Sequence, residues 1–167
     1  MGPTARKTSP EKLDAVVIGA GFSGLYTLHR LRDDLGLKVR AFDAAEDVGG
    51  TWYWNRYPGA RCDIESFWYS YSFDEDLQQE WTWKEQFSDQ PEILRYLNHV
   101  ADRFDLRRDI QCNTRVNAAI YDEDARRWTI ETSDGNCVEA QFLISGLGNL
   151  SLPQAPNFPG LDRKSVV

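Results

Sequence analysis

The fold of this chain follows from one segment near its N-terminus, Leu13-Asp14-Ala15-Val16-Val17-Ile18-Gly19-Ala20-Gly21-Phe22-Ser23-Gly24. Residues 13–18 are a short apolar run with two adjacent valines, which is typical of a buried parallel strand. Residues 19–24 fit the pattern G-x-G-x-x-G. In such a loop the first glycine permits a tight turn, the second lets backbone approach a pyrophosphate, and the third lets the next helix pack on the strand.

A helix and a second strand follow this loop. Leucines recur at spacings of three and four over residues 22–35, which predicts an amphipathic helix, and Gly36 is suited to end it. Those leucines are Leu25, Leu28, Leu31 and Leu35. Residues 38–42 are predicted to form a second strand, so strand, helix and strand make one βαβ unit of about 30 residues. The helix N-terminus offers free N–H groups and a positive dipole end to an anion.

Asp43 closes the second strand, 24 residues after Gly19. An acid about 20 residues after the glycine loop is expected to accept hydrogen bonds from the ribose hydroxyls of adenosine. It disfavours a 2′-phosphate by charge repulsion, so the pattern favours FAD or NAD over NADP. The alternative is that residues 19–24 form only a tight turn and that Asp43 is a solvated loop acid.

The rest of the chain adds one helix and three strands. Residues 44–73 are irregular, dense in glycine, aromatic residues and arginine, and are expected to be an ordered functional loop. A helix is predicted over residues 91–104, with Pro91 in its first turn. Strands are predicted at residues 114–121, 128–132 and 138–145, the last two joined by a turn at residues 133–136.

These elements predict an α/β fold, a Rossmann-like doubly wound FAD-binding domain over residues 13–150. A small antiparallel β excursion is expected around residues 114–132. Residues 1–12 are expected to be a flexible lead, and residues 151–167 a linker or truncated end, because of the prolines in that tail. A length of 167 residues suits one such domain.

Composition excludes several kinds of partner. With 19 basic and 26 acidic residues the net charge is −7, so nucleic acid and anionic membrane are disfavoured. No apolar run approaches the ~20 residues of a membrane span, and the start of the chain has no secretory pattern. The three cysteines match neither a zinc site nor a disulfide framework. We therefore expect a reduced, cytoplasmic, monomeric protein without a metal.

The segment Val48-Gly49-Gly50-Thr51-Trp52-Tyr53-Trp54-Asn55-Arg56-Tyr57-Pro58-Gly59-Ala60-Arg61-Cys62-Asp63 is the most unusual part of the chain. Its glycine pair is expected to let backbone approach a bulky flat ligand closely. Its aromatic residues supply rigid surface, and Arg61 and Asp63 supply charge. On composition alone the segment is a flavin wall, a protein interface or a set of buried core aromatics.

The chain resembles the N-terminal part of the type I Baeyer–Villiger monooxygenases, which use FAD and NADPH. The resemblance runs from about Asp14 to Asp162. It is carried by GAGFSGLY at residues 19–26, GGTWYWNRYPGARCDIES at 49–66, YSYSF at 69–73, QPEILRYL at 90–97 and ADRFDLR at 101–107. The Trp-Tyr-Trp-Asn-Arg-Tyr-Pro-Gly block is more specific than the glycine motif.

The resemblance implies roles for particular positions. The glycine loop holds the FAD pyrophosphate, Asp43 holds the ribose, and Val116 contributes backbone on the adenine side. Residues 51–54 pass along the flavin, and Asp63 and Tyr69 lie at the isoalloxazine end. Residues 61–63 border the nicotinamide pocket. The implied cofactor-binding residues are Gly19, Gly21, Phe22, Ser23, Gly24, Asp43, Gly50, Thr51, Trp52, Tyr53, Trp54, Arg61, Cys62, Asp63, Tyr69 and Val116.

The resemblance also implies a reaction, the insertion of oxygen beside a ketone carbonyl to give an ester or lactone, with NADPH as reductant. Asp63 is the implied catalytic position, because the family places an aspartate there beside an arginine that stabilises negative charge during oxygen transfer. That arginine and the NADPH-binding domain lie outside these 167 residues, so we expect no turnover by the chain alone. An anchoring role for the Asp63 carboxylate in its own loop remains an alternative.

Three other functions remain open at this point. An N- or S-oxygenating flavin monooxygenase shares the glycine loop. Another FAD enzyme, such as an amine oxidase or a disulfide reductase, would lack the aromatic block. A non-catalytic flavin- or partner-binding fragment would expose Trp52, Trp54 and Trp68 as an apolar patch.

Overall fold

The structure is a computed structural model that describes residues 10–150 and 157–158. Six strands form one mixed sheet in the order β3-β2-β1-β6-β5-β4. Strand β1 pairs in parallel with β2 and with β6, and β2 pairs in parallel with β3. Strand β5 pairs antiparallel with β4 and with β6. The strands are β1 (Glu11–Ile18), β2 (Val39–Phe42), β3 (Ile110–Gln111), β4 (Val116–Asp122), β5 (Arg127–Thr132) and β6 (Cys137–Ser145). The predicted Rossmann-like α/β fold is confirmed.

Four α-helices accompany the sheet in the described part of the chain. They are α1 (Phe22–His29), α2 (Thr51–Trp54), α3 (Glu75–Glu80) and α4 (Gln90–Arg103). Helix α4 has the apolar face that the sequence predicts, and Asp89 caps it by accepting the Glu92 N–H at 3.0 Å. None of these helices is long and apolar enough to cross a membrane. The predicted loop over residues 44–73 is ordered and contains α2.

Helix α1 ends differently from the prediction. The helix continues as a π-helical turn over Arg30–Asp34, in which the Leu35 N–H donates to the Arg30 carbonyl five residues back. A five-residue spacing rotates the following side chain away from the helical stripe. Leu35 is therefore 64% exposed, and the prediction that it lies on the buried face of the helix is wrong. Gly36 ends the segment with φ +65°, as predicted.

Two cores lie on the two faces of the sheet. One joins β1 and β2 to helices α1 and α4 through residues such as Val17, Leu25 and Leu97. The other joins Val16 and Phe42 to the β4–β5 hairpin and β6. The antiparallel excursion is thus a continuation of the main sheet, because β5 pairs with the first half of β6.

The boundaries of the sheet differ slightly from the predicted ones. Strand β1 begins at Glu11, where it pairs with Val138 of β6, so the sheet extends into the expected flexible lead. Strand β3 was not predicted, because two residues carry no alternation pattern. Most of the expected linker at residues 151–167 lies outside the described residues.

Candidate functional site

A groove of about 480 Å³ opens at the carboxyl ends of β1, β2 and β6. In parallel α/β sheets, ligands bind at this edge. The groove combines the glycine loop, the end of β2, the first residues after β3 and β6, and part of α2. Its lining residues are Ile18, Gly19, Gly21, Phe42, Asp43, Ala44, Gly50, Thr51, Trp54, Thr114, Arg115, Val116, Gly146, Leu147 and Leu150.

The glycine loop has no room for side chains at its first and third glycines. Gly19 has φ +101°, and a Cβ there would lie 2.7 Å from the Gly146 carbonyl oxygen. A Cβ on Gly24 would lie 1.8 Å from the Gly19 carbonyl oxygen, so α1 packs directly on the turn. No side chain caps the N-terminus of α1, and its first turn holds no acid. The N–H groups and dipole of α1 therefore remain available to an anion at the groove.

The glycine pair at residues 49–50 serves a contact that the sequence did not predict. The Gly49 N–H donates to the Ala20 carbonyl at 3.0 Å, and a Cβ on Gly50 would lie 2.8 Å from the Gly21 Cα. The glycine pair thus permits a close approach between two backbone loops, and Gly50 also lines the groove, where the approach to a flat ligand stays a prediction. The pair also has positive φ at both residues, which glycine adopts without strain.

Asp43 is 8% exposed at the end of β2 and fastens the glycine loop. Its Oδ2 accepts the Ala20 N–H at 2.6 Å, and its Oδ1 accepts the Ala45 N–H at 2.8 Å. The alternative of a solvated loop acid is therefore wrong. Each carboxylate oxygen accepts more than one hydrogen bond, so Asp43 still has acceptor capacity toward the groove that it lines.

The three aromatic residues of α2 have three different environments. Trp52 is buried, and its Nε1–H donates to the Tyr69 hydroxyl at 2.8 Å. The Arg56 guanidinium lies over the Tyr53 ring, and its Cζ is 4.5 Å from the ring centroid. Trp54 is 58% exposed and lines the groove. Core packing thus accounts for Trp52, and only Trp54 offers its ring to a ligand in the groove.

Tyr69 connects α2 to the segment that carries the predicted catalytic acid. Its ring meets the Phe22 ring edge-on at 4.9 Å between centroids. Burial raises the pKa of the Tyr69 phenol, and the nearby Cys62 and Asp63 side chains raise it further. Asp63 is thus near enough to Tyr69 for its charge to act on the phenol, and neither residue lines the groove.

The charged segment at residues 61–63 lies outside the groove lining. Arg61 forms an exposed ion pair with Glu85 at 3.3 Å, and the buried Cys62 thiol contacts the Ser88 carbonyl at 3.4 Å. Asp63 is exposed, and its carboxylate makes no hydrogen bond or ion pair within residues 10–150. The alternative that Asp63 anchors its own loop therefore has no contact to support it.

The groove unites seven of the predicted residues and leaves the others outside its lining. The seven are Gly19, Gly21, Asp43, Gly50, Thr51, Trp54 and Val116. The others are Phe22, Ser23, Gly24, Trp52, Tyr53, Arg61, Cys62, Asp63 and Tyr69. The described residues contain no cluster of three or more metal-ligating side chains.

Several lining residues were not predicted as site residues. Gly146 and Leu147 follow β6, whose glycine-rich end was a visible signal for a strand that returns to the site. Thr114 and Arg115 follow β3, which is too short to leave a pattern. The Arg115 side chain is exposed and forms no ion pair in the described part of the chain, so its charge is available to the groove.

Comparison with protein families gives a match over residues 17–99 to the NAD(P)-binding Rossmann-like domain. The chain is 57% identical over 152 residues to an acetone monooxygenase (methyl acetate-forming) of Gordonia sp. (strain TY-5), covering 91% of this chain and 28% of the relative. It is 52% identical over 156 residues to a Baeyer–Villiger monooxygenase of Pseudooceanicola batsensis, covering 93% and 29%. A phenazine N-monooxygenase of Lysobacter antibioticus is 53% identical over 150 residues, covering 90% and 28%.

Solved structures of monooxygenases are also similar to this chain. An oxidised steroid monooxygenase bound to NADP superposes with a TM-score of 0.85 at 60% identity, covering 91% of this chain and 29% of that one. The chain thus spans under a third of the length of the relatives that it matches.

Proposed function

We propose that this chain is the N-terminal, FAD-binding part of a type I Baeyer–Villiger monooxygenase, because such enzymes match more than nine-tenths of its length at 52–60% identity. The whole protein is proposed to be an NADPH- and oxygen-dependent flavoprotein monooxygenase that converts ketones to esters or lactones. The observation that carries the proposal is the groove at the carboxyl ends of β1, β2 and β6, with Asp43 fixed on the glycine loop.

The groove fits FAD on three physical grounds. A Cβ at Gly19 or Gly24 would collide with backbone, so the loop keeps the bare, tight form that a pyrophosphate needs. The N-terminus of α1 has neither a side-chain cap nor an acid to compete with the anion. Asp43 presents an acceptor for ribose hydroxyls and a charge that disfavours a 2′-phosphate.

Each part of the groove then has a role. The N–H groups of residues 21–24 bind the pyrophosphate, Asp43 binds the ribose, and backbone at Val116 borders the adenine. Thr51 and Trp54 flank the rest of the cofactor. Bound FAD supplies the redox chemistry, through reduction by NADPH and reaction with oxygen.

Two aromatic residues outside the groove lining, Trp52 and Tyr69, hold α2 in place. Trp52 and Tyr69 hold α2 against the core through the Nε1–H···O bond at 2.8 Å. Asp63, close to Tyr69, is proposed to lie at the isoalloxazine end and to orient an arginine from another part of the protein. A bidentate carboxylate fixes the plane of a guanidinium, which places its charge where oxygen transfer needs it.

We propose that the 167 residues alone bind FAD without oxidising NADPH, because they contain neither a second G-x-G-x-x-G motif nor that arginine. We also propose a cytoplasmic monomer that binds neither nucleic acid nor membranes. The net charge of −7 supports the exclusion of nucleic acid and anionic membranes.

Titration of the purified chain with FAD, followed by flavin fluorescence, tests the proposal. We expect FAD to bind at least about tenfold more tightly than FMN, because FMN lacks the adenosine half that Asp43 and Val116 contact. Trp54→Ala is expected to weaken FAD binding, whereas Trp68→Ala, a similarly exposed tryptophan outside the groove, leaves it unchanged. Equal affinities for FAD and FMN, or no binding of either, would overturn the proposal.

A second candidate reaction is N-oxygenation, favoured by the 53% identity to the phenazine N-monooxygenase. The same cofactor groove serves both reactions, so these residues do not separate them. A full-length protein supplied with a ketone and with an N-heteroaromatic compound separates them: ester formation supports the first reaction, and N-oxide formation supports the second.

A further inference from the structure

The position of Asp63 depends on its backbone alone. Its carboxylate is exposed and makes no hydrogen bond or ion pair with any residue in the 10–150 range. A side chain without partners takes its location from the main chain that carries it. What holds the main chain around residue 63 therefore decides where the proposed catalytic carboxylate lies.

Residues 60–66 run antiparallel to residues 86–90. The two segments share a β-bridge between Arg61 and Asp89. Three backbone hydrogen bonds join them on either side of Asp63: Gln90 N–H to Ala60 O at 2.8 Å, Cys62 N–H to Ser88 O at 3.1 Å and Ser66 N–H to Gln86 O at 2.7 Å. The location of Asp63 is thus coupled to the segment that leads into α4.

A chain of three buried polar side chains lies behind this pair of segments. Ser66 Oγ–H donates to Ser88 Oγ at 2.7 Å, and Ser88 Oγ–H donates to Glu92 Oε2 at 3.0 Å. The Ser88 N–H returns to Ser66 Oγ at 2.8 Å. The exposures of Ser66, Ser88 and Glu92 are 2%, 0% and 4%. The Ser88 hydroxyl donates to Glu92, because a carboxylate only accepts. The Ser66 hydroxyl has three acceptors within reach: Ser88 Oγ, the Glu85 carbonyl at 2.9 Å and the Gln86 carbonyl at 3.0 Å.

Glu92 is a buried carboxylate with no cationic side chain within ion-pair distance in the described residues. It is satisfied by the Ser88 hydroxyl, by the Lys84 N–H at 3.2 Å and by its place in the first turn of α4. A carboxylate in the first turn of a helix interacts favourably with the helix dipole even when it is exposed. The dipole therefore does not explain why Glu92 is buried. Burial with two serines in series indicates a second role, the attachment of residues 60–66 to α4.

We propose that Ser66, Ser88 and Glu92 are positioning residues that fix the backbone of residues 60–66 and so set the location of the Asp63 carboxylate. This inference rests on the proposed role of Asp63 at the flavin. Glu92 accepts from the Ser88 hydroxyl, and Ser88 is joined to Ser66 by the contact between their Oγ atoms and by its own N–H, which donates to Ser66 Oγ. None of the three side chains lines the groove.

Hydrogen exchange on the ligand-free chain tests the attachment without any cofactor. In Ser88→Ala we expect the amides of Cys62 and Ser66 to exchange at least about tenfold faster than in the wild type, since the hydrogen bonds of Ser88 Oγ with Ser66 and with Glu92 are both lost. Tyr96→Phe is the control, because it removes a buried hydroxyl that accepts the Tyr71 N–H at 2.8 Å on the same helix. Unchanged exchange in Ser88→Ala, or equal acceleration in Tyr96→Phe, overturns the proposal.

A double-mutant cycle on the FAD-bound chain tests the effect on Asp63. The readouts are the FAD dissociation constant and the visible absorption of bound flavin for Ser88→Ala, Asp63→Asn and the double variant. We expect the two single changes to shift these readouts in the same direction and the double variant to shift them no further. Independent, additive shifts would mean that Ser88 acts on general stability, and they overturn the positioning role.

The hydrogen-exchange experiment and the double-mutant cycle together distinguish a failure of this proposal from a failure of the proposed function. If no variant binds FAD, wild type included, the proposed function fails, and the exchange of Cys62 and Ser66 alone decides whether the buried chain fixes the segment. If FAD binds and Asp63→Asn changes neither readout, the proposed location of Asp63 at the isoalloxazine end fails. The exchange result then still supports or overturns the attachment itself.

Discussion

The Asp43→Asn substitution tests whether the Asp43 carboxylate is a buried acceptor that holds the glycine loop or a solvated acid. The carboxylate is 8% exposed and accepts two backbone N–H groups, from Ala20 at 2.6 Å and from Ala45 at 2.8 Å. Asparagine has a similar shape and a single acceptor oxygen. In either orientation of its amide, an NH₂ group faces one of the two backbone N–H groups, so two donors oppose each other in a buried site.

The magnitude follows from these two hydrogen bonds. A hydrogen bond to a charged acceptor contributes about 1.5–3 kcal/mol, and Asp43→Asn loses one such bond and weakens the other. We therefore expect the free energy of unfolding of the ligand-free chain to fall by about 2–3 kcal/mol. For a chain of this size that corresponds to a decrease in Tm of roughly 5–10 °C.

Urea unfolding of the ligand-free chain, followed by tryptophan fluorescence, measures the change. Asp122→Asn is the matched control, because it removes the same charge from a carboxylate that accepts the Ala125 N–H at 2.8 Å in an exposed turn. We expect the control to remain within about 0.5 kcal/mol of the wild type. Equal losses in the two variants would refute the reasoning. FAD affinity is expected to fall as well, by about tenfold or more, since the glycine loop and the ribose contact both change.

Three further predictions concern packing, acid stability and the aromatic support. Gly24→Ala places a Cβ 1.8 Å from a backbone oxygen of the glycine loop, and we expect a loss of about 3 kcal/mol in urea unfolding together with loss of FAD binding. The hydroxyl of Thr132 is the main cause that lowers the pKa of Asp134 to about 2 from 3.8. The stability that this shift contributes is present above pH 3.8 and lost toward pH 2, and Asp134→Asn should flatten that part of the pH–stability profile. Tyr69→Phe removes the acceptor of the Trp52 Nε1–H and is expected to lower stability by about 1–2 kcal/mol with a change in tryptophan fluorescence; an unchanged unfolding curve would contradict that contact.

Local patterns were sufficient for the main elements of the fold. The glycine loop, the leucine spacing of α1, the proline and apolar face of α4 and the turn at residues 133–136 each have a cause within a few residues. For that reason the parallel βαβ unit and the last three strands are found where the sequence predicts them, within one to two residues. The exceptions, α2, α3 and β3, have four, six and two residues, too few for a periodic signal.

The aromatic segment shows where the sequence stops being informative. Trp52 and Trp54 are two residues apart in a one-turn helix, where a rotation of 100° per residue points them in nearly opposite directions. One is buried against Tyr69 and the other is exposed at the groove. A four-residue helix has no stability of its own, so packing against the core decides which aromatic residue faces which way.

By itself the sequence determined the class of fold and the place of the phosphate-binding turn, because hydrophobic period and glycine geometry act over short distances. Only the tertiary structure decided what the residues near that turn contact. It paired Gly50 with Gly21 and bound the Asp43 carboxylate to Ala20. It left the Asp63 carboxylate without a hydrogen bond or ion pair within residues 10–150, while Ser88 joins Ser66 of the same loop to Glu92. The contacts Gly50–Gly21, Asp43–Ala20 and Ser66–Ser88 join residues 22 to 29 positions apart, and they exist only when the βαβ unit and α4 pack around one core.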